Sequence, residues 1–415
     1  MRFARPPVLS MTSRVLRAFL LLLLPLAAFC AEKDALAIDA AIQARHMPYG
    51  GIVDPILSLP DLSQIVDYTR CGDSAIWTGH YLAAEAFRYN VTKSNEAFAN
   101  VQNAISAINN LINVTGSDVL SRCALPADSP YAQSISNQEA ANGIHQGQIF
   151  GDNWIWVGNT SRDQYLGIFF GLTVTYDMVP DSGIRGWCSF LMTRLLNNLL
   201  DHAWTIVLPD GSISSTFVIR PDEQLAMLLM GKHLNGGAFG KLYSEMSNAI
   251  SPSVPVPVGV DCADQTSSYF KFNLDYITFY ALKRMGSGYS SFWYGLGYDE
   301  LRVTTNWHQN AHFNMIDRAI GGADAKRDAE TQSLLDAWLQ RPAMDVYRDF
   351  TGQFPSCSTG EACNPLPLPD RATTDFLWQR DPFQLAGGGD GNIESAGIDY
   401  ILPYWMGRYY GVITN

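Results

Sequence analysis

The rhythm of the connections constrains this chain more than any single motif. Apolar residues recur at spacings of three and four through most of the sequence, as at Ala97, Val101, Ala104, Ile108, Leu111 and Ile112, and again at Tyr165, Ile168, Phe169, Leu172, Tyr176 and Val179. This period belongs to helices. It predicts helices over 31–45, 74–89, 94–112, 162–179, 183–205, 222–233, 238–250, 265–285, 289–302, 308–320, 328–340 and 394–411. Strand-like runs are brief, at 154–157 and 217–219. Helices of even rank are followed by short turns, and those of odd rank by the connections 46–73, 113–161, 206–221, 251–264, 303–307 and 341–393, most of them long. A short turn makes its two helices antiparallel neighbours. Helices of even rank therefore start at one end of a mainly α domain, and the long connections gather there. Loops on a rigid scaffold are where binding and catalysis concentrate.

Residues 1–30 read as a signal peptide. Arg2, Arg5, Arg14 and Arg17 precede an apolar run from Ala18 to Phe29 that is short for a bilayer span and ends in small residues. Cleavage before Ala31 leaves 31–415 as a single domain, exported to the periplasm or the extracellular space. No other stretch is apolar and long enough for stable membrane insertion. The full chain carries 28 basic and 40 acidic residues, a net charge of −12. Losing the four arginines takes this to about −16, which disfavours nucleic acid and anionic membranes as partners.

Cysteine usage agrees with export. Without Cys30, six remain: Cys71, Cys123, Cys188, Cys262, Cys357 and Cys363. An even set in an oxidising compartment implies disulfides, with the pairing open and Cys357–Cys363 able to close a short loop. No close Cys-x-x-Cys or Cys/His pair suggests zinc, and neither a metal nor an organic cofactor is expected.

Four constellations could carry chemistry. In Asp73-Ser74-Ala75-Ile76-Trp77-Thr78-Gly79-His80, a carboxylate opens a helix with Trp77 and His80 one and two turns on. Asp is also a common N-cap, which is the plainer role. Trp154 and Trp156 lead into Ser161-Arg162-Asp163-Gln164-Tyr165, where Ser161 and Gln164 have capping-box spacing and Arg162 and Asp163 enter the first turn. His308 and His312 are four apart, but Gln309 stands where a zincin needs Glu, so substrate hydrogen bonding by His312 is preferred to metal binding. In the tail, a glycine run at 387–391 precedes Glu394. It lacks the Gly-Lys-Ser/Thr of a phosphate loop. Asp73, Asp163 and Glu394 all open helices of even rank, Asp222 is a rival, and Glu223 and Asp264 rank behind it.

The segments DSAIWTGHYLAAEAFRY, TSRDQYLGIFFGL and GIDYILPYWMGRYYG, within six helical hairpins whose long loops share one rim, resemble the six-hairpin glycosidase-like superfamily. The resemblance is one of architecture and spans about 31–410. It implies an (α/α)6 toroid and a carbohydrate partner. The expected activity is glycoside hydrolysis by paired carboxylates, with Asp163, Asp73 and Glu394 catalytic and Arg162, Tyr165, Trp77, His80, Trp154 and His312 binding sugar. A polysaccharide lyase using Tyr165 or a His as base beside Arg162, and a non-catalytic glycan-binding protein, are the alternatives.

Overall fold

The computed structural model describes residues 31–414, so the expected signal peptide lies outside them. The described chain is mainly helical. Its α-helices are α1 (Glu32–Ala41), α2 (Ser74–Thr92), α3 (Asn95–Asn113), α4 (Ala132–Gln138), α5 (Arg162–Met178), α6 (Ser182–Asp201), α7 (Pro221–Leu234), α8 (Gly236–Ile250), α9 (Pro255–Ala263), α10 (Lys271–Met285), α11 (Tyr289–Thr305), α12 (Ala311–Gly321), α13 (Ala325–Trp338) and α14 (Ile398–Tyr409). Strands are short and antiparallel: β1 (Asp54–Leu57) with β2 (Ile65–Thr69), and β6 (Thr205–Val207) with β7 (Ile213–Thr216). A third sheet has the order β3-β5-β4, from β3 (Cys123–Pro126), β4 (Ile144–Ile149) and β5 (Asp152–Val157).

Two kinds of helix alternate along the chain. In α2, α5, α7 and α10 nearly every residue from the first turn onward is buried, and α14 is buried from Ile398 to Gly407. The partners that follow or precede them bury one face only, as α3 does with Ala97, Val101, Ala104, Ile108 and Leu111. A helix buried all round lies inside a core, and a striped one covers it. Helices α2, α5, α7, α10 and α14 pack on one another and on α12, which is buried from Ala311 to Ile316: α2 against α5 and α14, α5 against α7 and α10, α7 against α10, α10 against α12, and α12 against α14. The main hydrophobic core takes residues from Ala35 to Ile413, and two smaller clusters form around Val53, Leu125 and Val157 and around Ala362, Leu366 and Leu385.

The contact between α2 and α5 is the closest of these. A Cβ on Gly79 would lie 2.2 Å from the carbonyl oxygen of Gly167, and one on Gly171 would lie 2.3 Å from that of Gly79. Only glycine permits such an approach of two backbones. Gln164 meets Asp73 where the two helices begin, and Asn90 donates to Met178 O at 2.8 Å where they end, so α2 and α5 run the same way with their starts abreast.

Several boundaries differ from expectation. The first helix leaves α geometry at Ala41 and continues as a π-helical turn, Ile42–His46. The connection 251–264 holds α9, and α14 begins at Ile398 rather than at Glu394. The disulfides are Cys71–Cys123 and Cys357–Cys363, while Cys188 and Cys262 are free and buried. No helix among the described residues is long and apolar enough to cross a membrane.

Candidate functional site

Asp73 and Asp163 meet where α2 and α5 begin. Neither serves as a helix cap: the Asp73 side chain makes no capping bond, and Ser161, the N-cap of α5, makes none either. The capping box expected from Ser161 and Gln164 does not form, because both side chains are turned to other work. The Ser161 hydroxyl donates to Asp163. The Gln164 amide nitrogen donates to Asp73 Oδ1 at 3.4 Å and to Asp163 Oδ2 at 3.2 Å, while its oxygen accepts from the Ile76 N–H at 2.9 Å. One amide thus bridges two carboxylates and is itself fixed to α2. Gln379 donates to the other oxygen of Asp73 at 3.2 Å and accepts from the Trp77 indole N–H at 2.9 Å.

Arg122 knits the surrounding backbone, donating to Gly72 O at 2.7 Å, Asn159 O at 2.8 Å and Ser161 Oγ at 2.8 Å, with Asp73 Oδ1 3.9 Å away. The Asp73 side chain is 36% exposed, so solvent can reach it. Desolvation, and then the charge of Asp163, lift it to about 6 against the pull of Arg122. The site therefore pairs a carboxyl that holds its proton into mildly acidic pH with a second carboxylate that accepts two hydrogen bonds.

The pair belongs to a longer chain of polar contacts joining the starts of α2, α5, α7, α10, α12 and α14. Arg162 of α5 reaches Glu223 of α7 at 3.1 Å, and Arg220, just before α7, reaches Asp275 of α10 at 2.9 Å. Tyr269 before α10 meets His308 before α12 at 3.1 Å. Asn310, the cap of α12, donates to Leu377 O at 3.1 Å, and the Leu377 N–H donates to Asp399 of α14 at 3.0 Å. Two residues further on, Gln379 returns to Asp73. Burial lifts Glu223 to about 7 despite Arg220 and Arg162, but its side chain is only 1% exposed. It buttresses Arg162 rather than facing solvent.

Glu394 does not join the pair. It is held by Arg45 through two bonds of 2.6 and 2.5 Å, with His46 at 3.6 Å. Burial alone would lower the His46 pKa, yet the hydrogen-bonding carboxylates Asp54 and Glu394 raise it. This cluster ties the N-terminal helix to the last connection.

The expected sugar-binding residues divide. Arg162 is partly exposed beside Asp163. Trp77 is buried and acts through Gln379. Tyr165 is fully buried, its hydroxyl accepting from the Leu120 N–H at 3.1 Å, and burial raises its pKa. His80 lies in the core, stacked 4.8 Å from Trp378 and bonded to Ile76 O at 2.9 Å, and burial takes it down to about 4. His312 is equally buried, with neither ring nitrogen partnered among the described residues. In these tightly surrounded helices even the first turns face neighbouring helices, so Tyr165, His80 and His312 point into the core and not toward the rim. His308 precedes α12, so the two histidines do not share a helical face, and no group of three metal-binding side chains is present among the described residues. Trp154 lines a separate surface hollow with Asp128, Asp152 and Asn153.

Gln164, Gln379 and Arg122 were not read from the sequence as site residues. Gln164 carried a signal, but one that fits a capping box equally well. No protein-family model matches the chain, and a search of curated proteins finds no match.

Proposed function

We propose that the protein is an exported enzyme that hydrolyses glycosidic bonds, built as an (α/α)6 toroid with α2, α5, α7, α10, α12 and α14 as the inner ring. Support for the architecture comes from the cyclic packing of those six helices and the polar chain joining their starts. Two disulfides fit an oxidising compartment. One observation carries the activity: Asp73 and Asp163, from different helices, share the Gln164 amide while one of them is held at a raised pKa.

Glycoside hydrolysis needs this asymmetry, a protonated carboxyl for the leaving oxygen and an ionised one to attack or to activate water. Asp73 is the acid and Asp163 its partner. The shared donor keeps the nearest oxygens no further apart than its two bonds of 3.4 and 3.2 Å allow end to end, which admits the roughly 5–5.5 Å of retaining enzymes. Arg162 would bind substrate at the edge. The lyase alternative is not favoured, because Tyr165 and both histidines are shut in the core.

The test measures reducing ends released from a panel of neutral and acidic glycans. The native chain should cleave at least one, and Asp163→Asn and Asp73→Asn should each lose about 10²–10⁴-fold with thermal melts no lower than the native chain's. Full activity in folded Asp163→Asn, or no cleavage of any glycan by the native chain, would sink the assignment.

A further inference from the structure

A hollow of about 360 Å³ lies between α3 and α6, within the roughly 300–1,000 Å³ of small-ligand sites. Its lining includes Gln102, Ser106, Asn109 and Asn110 from α3, Trp187 from α6, and Phe150 from the turn between β4 and β5. No ionisable side chain lines it, in a chain where 16% of residues are charged. Arg194 donates to Asn109 from behind, but it is engaged by Asp118.

The aromatic rings are unusually bare. Phe150 is 93% exposed and Trp187 47%, with Phe190 edge-on to Trp187 at 5.7 Å. Phe150 has φ of +52° and Gly151 +96°, the pattern of a two-residue hairpin turn that favours Asn and Gly and strains a bulky residue. The chain thus holds an apolar ring in water on a disfavoured backbone. Trp187 also walls a second hollow that contains Gly183 and Gly186. Asn110 is shared with a narrow cleft lined by Trp154 and by Ser74, the first residue of α2.

Flat rings beside uncharged amides and a hydroxyl match the surface of a sugar, whose C–H face stacks on aromatics while its hydroxyls both donate and accept. An acyl chain or an apolar helix laid in the hollow would bury the Gln102 and Asn110 amides unpaired, which is unfavourable. We propose that this hollow is a binding subsite for an uncharged glycan chain, held through Trp187 and Phe150 apart from hydrolysis. The ligand class is that of the function proposed above, but the residues are different.

Native affinity electrophoresis of the full chain tests it, in gels cast with soluble β-glucan, galactomannan, neutral arabinoxylan or polygalacturonate. At least one neutral polymer should retard both the native chain and Asp163→Asn. Trp187→Ala and Phe150→Ala should each weaken that retardation at least tenfold with unchanged melts, and polygalacturonate should retard none. Should Trp187→Ala melt early, Phe150→Ala carries the comparison, because its ring is almost free of the fold. The proposal is overturned by retardation that survives both substitutions, by retardation on polygalacturonate alone, by none on any neutral polymer, or by Trp187-dependent sedimentation with phosphatidylcholine vesicles. Trp187-dependent retardation without hydrolysis of any glycan would remove only the catalytic reading.

Discussion

At the scale of single residues, Asp73 differs from an ordinary surface aspartate in how reluctantly it ionises. Between about pH 4, where an unfolded aspartate releases its proton, and about 6, the folded chain holds a proton that the unfolded chain has lost. Stability attributable to this carboxyl therefore declines as pH rises through that window and is level above it. Asp73→Asn removes the penalty, so its melt at pH 7 should equal or exceed that of the native chain, and the gap should close at pH 4. If Asp73 is the proton donor, kcat/KM should fall as pH rises past about 6, because the protonated form is consumed. A basic limb found above pH 8 would take the role from Asp73. Both acids stand out in the sequence because each opens a helix of even rank in the expected order, and the structure brings them together through Gln164. Gln379 was not: it acts on Asp73 across 306 positions from an aperiodic segment, and nothing in local spacing points to such a partner. Tyr165, His80 and His312 were misplaced for a different reason. Periodicity sorts residues onto faces, but in a helix buried all round every face is interior.

At the scale of elements, the α2–α5 contact sets the geometry of the pair. Gly79→Ala would drive a methyl group into the Gly167 backbone, which cannot rotate away as a side chain could. The expected loss is at the upper end of the usual overpacking penalty, about 3 kcal/mol, read from denaturant midpoints, and activity should fall with it even where the protein stays folded. Gly186→Ala is the control, as its Cβ would meet nothing within 4 Å. Most helices could be read from apolar spacing, yet α4, which lies inside the connection 113–161, and α9 could not. The α9 sequence, PVPVGVDCA, looks like a connection, but Pro255 sits at the helix start, where a missing N–H is harmless. The displacement of Glu394 out of α14 has a similar origin: a preceding loop residue with helix-compatible chemistry is held instead by Arg45.

At the scale of the whole molecule, Cys71–Cys123 links the connection before α2 to the connection before α5, closing a span of 52 positions two residues from Asp73. In the chain-entropy account a loop of that length is worth about 4 kcal/mol. Reduction, or Cys71→Ser with Cys123→Ser, should lower the melting temperature markedly, whereas opening Cys357–Cys363, separated by 6, should have a smaller effect. The even cysteine count foretold disulfides, but not that Cys188 and Cys262 would stay apart in the core. Alternation alone leads to the expectation that the long connections gather at one end, and the structure adds a polar chain joining the starts of α2, α5, α7, α10, α12 and α14. The glycine seam has one more consequence. Where two main chains touch with nothing between them, no exchange of side chains can bring them nearer, and any added bulk can only force them apart. The spacing of the two helices that carry the acids is thus set by the peptide itself, and variation around the pair would have to come from the loops above while the spacing beneath stayed fixed.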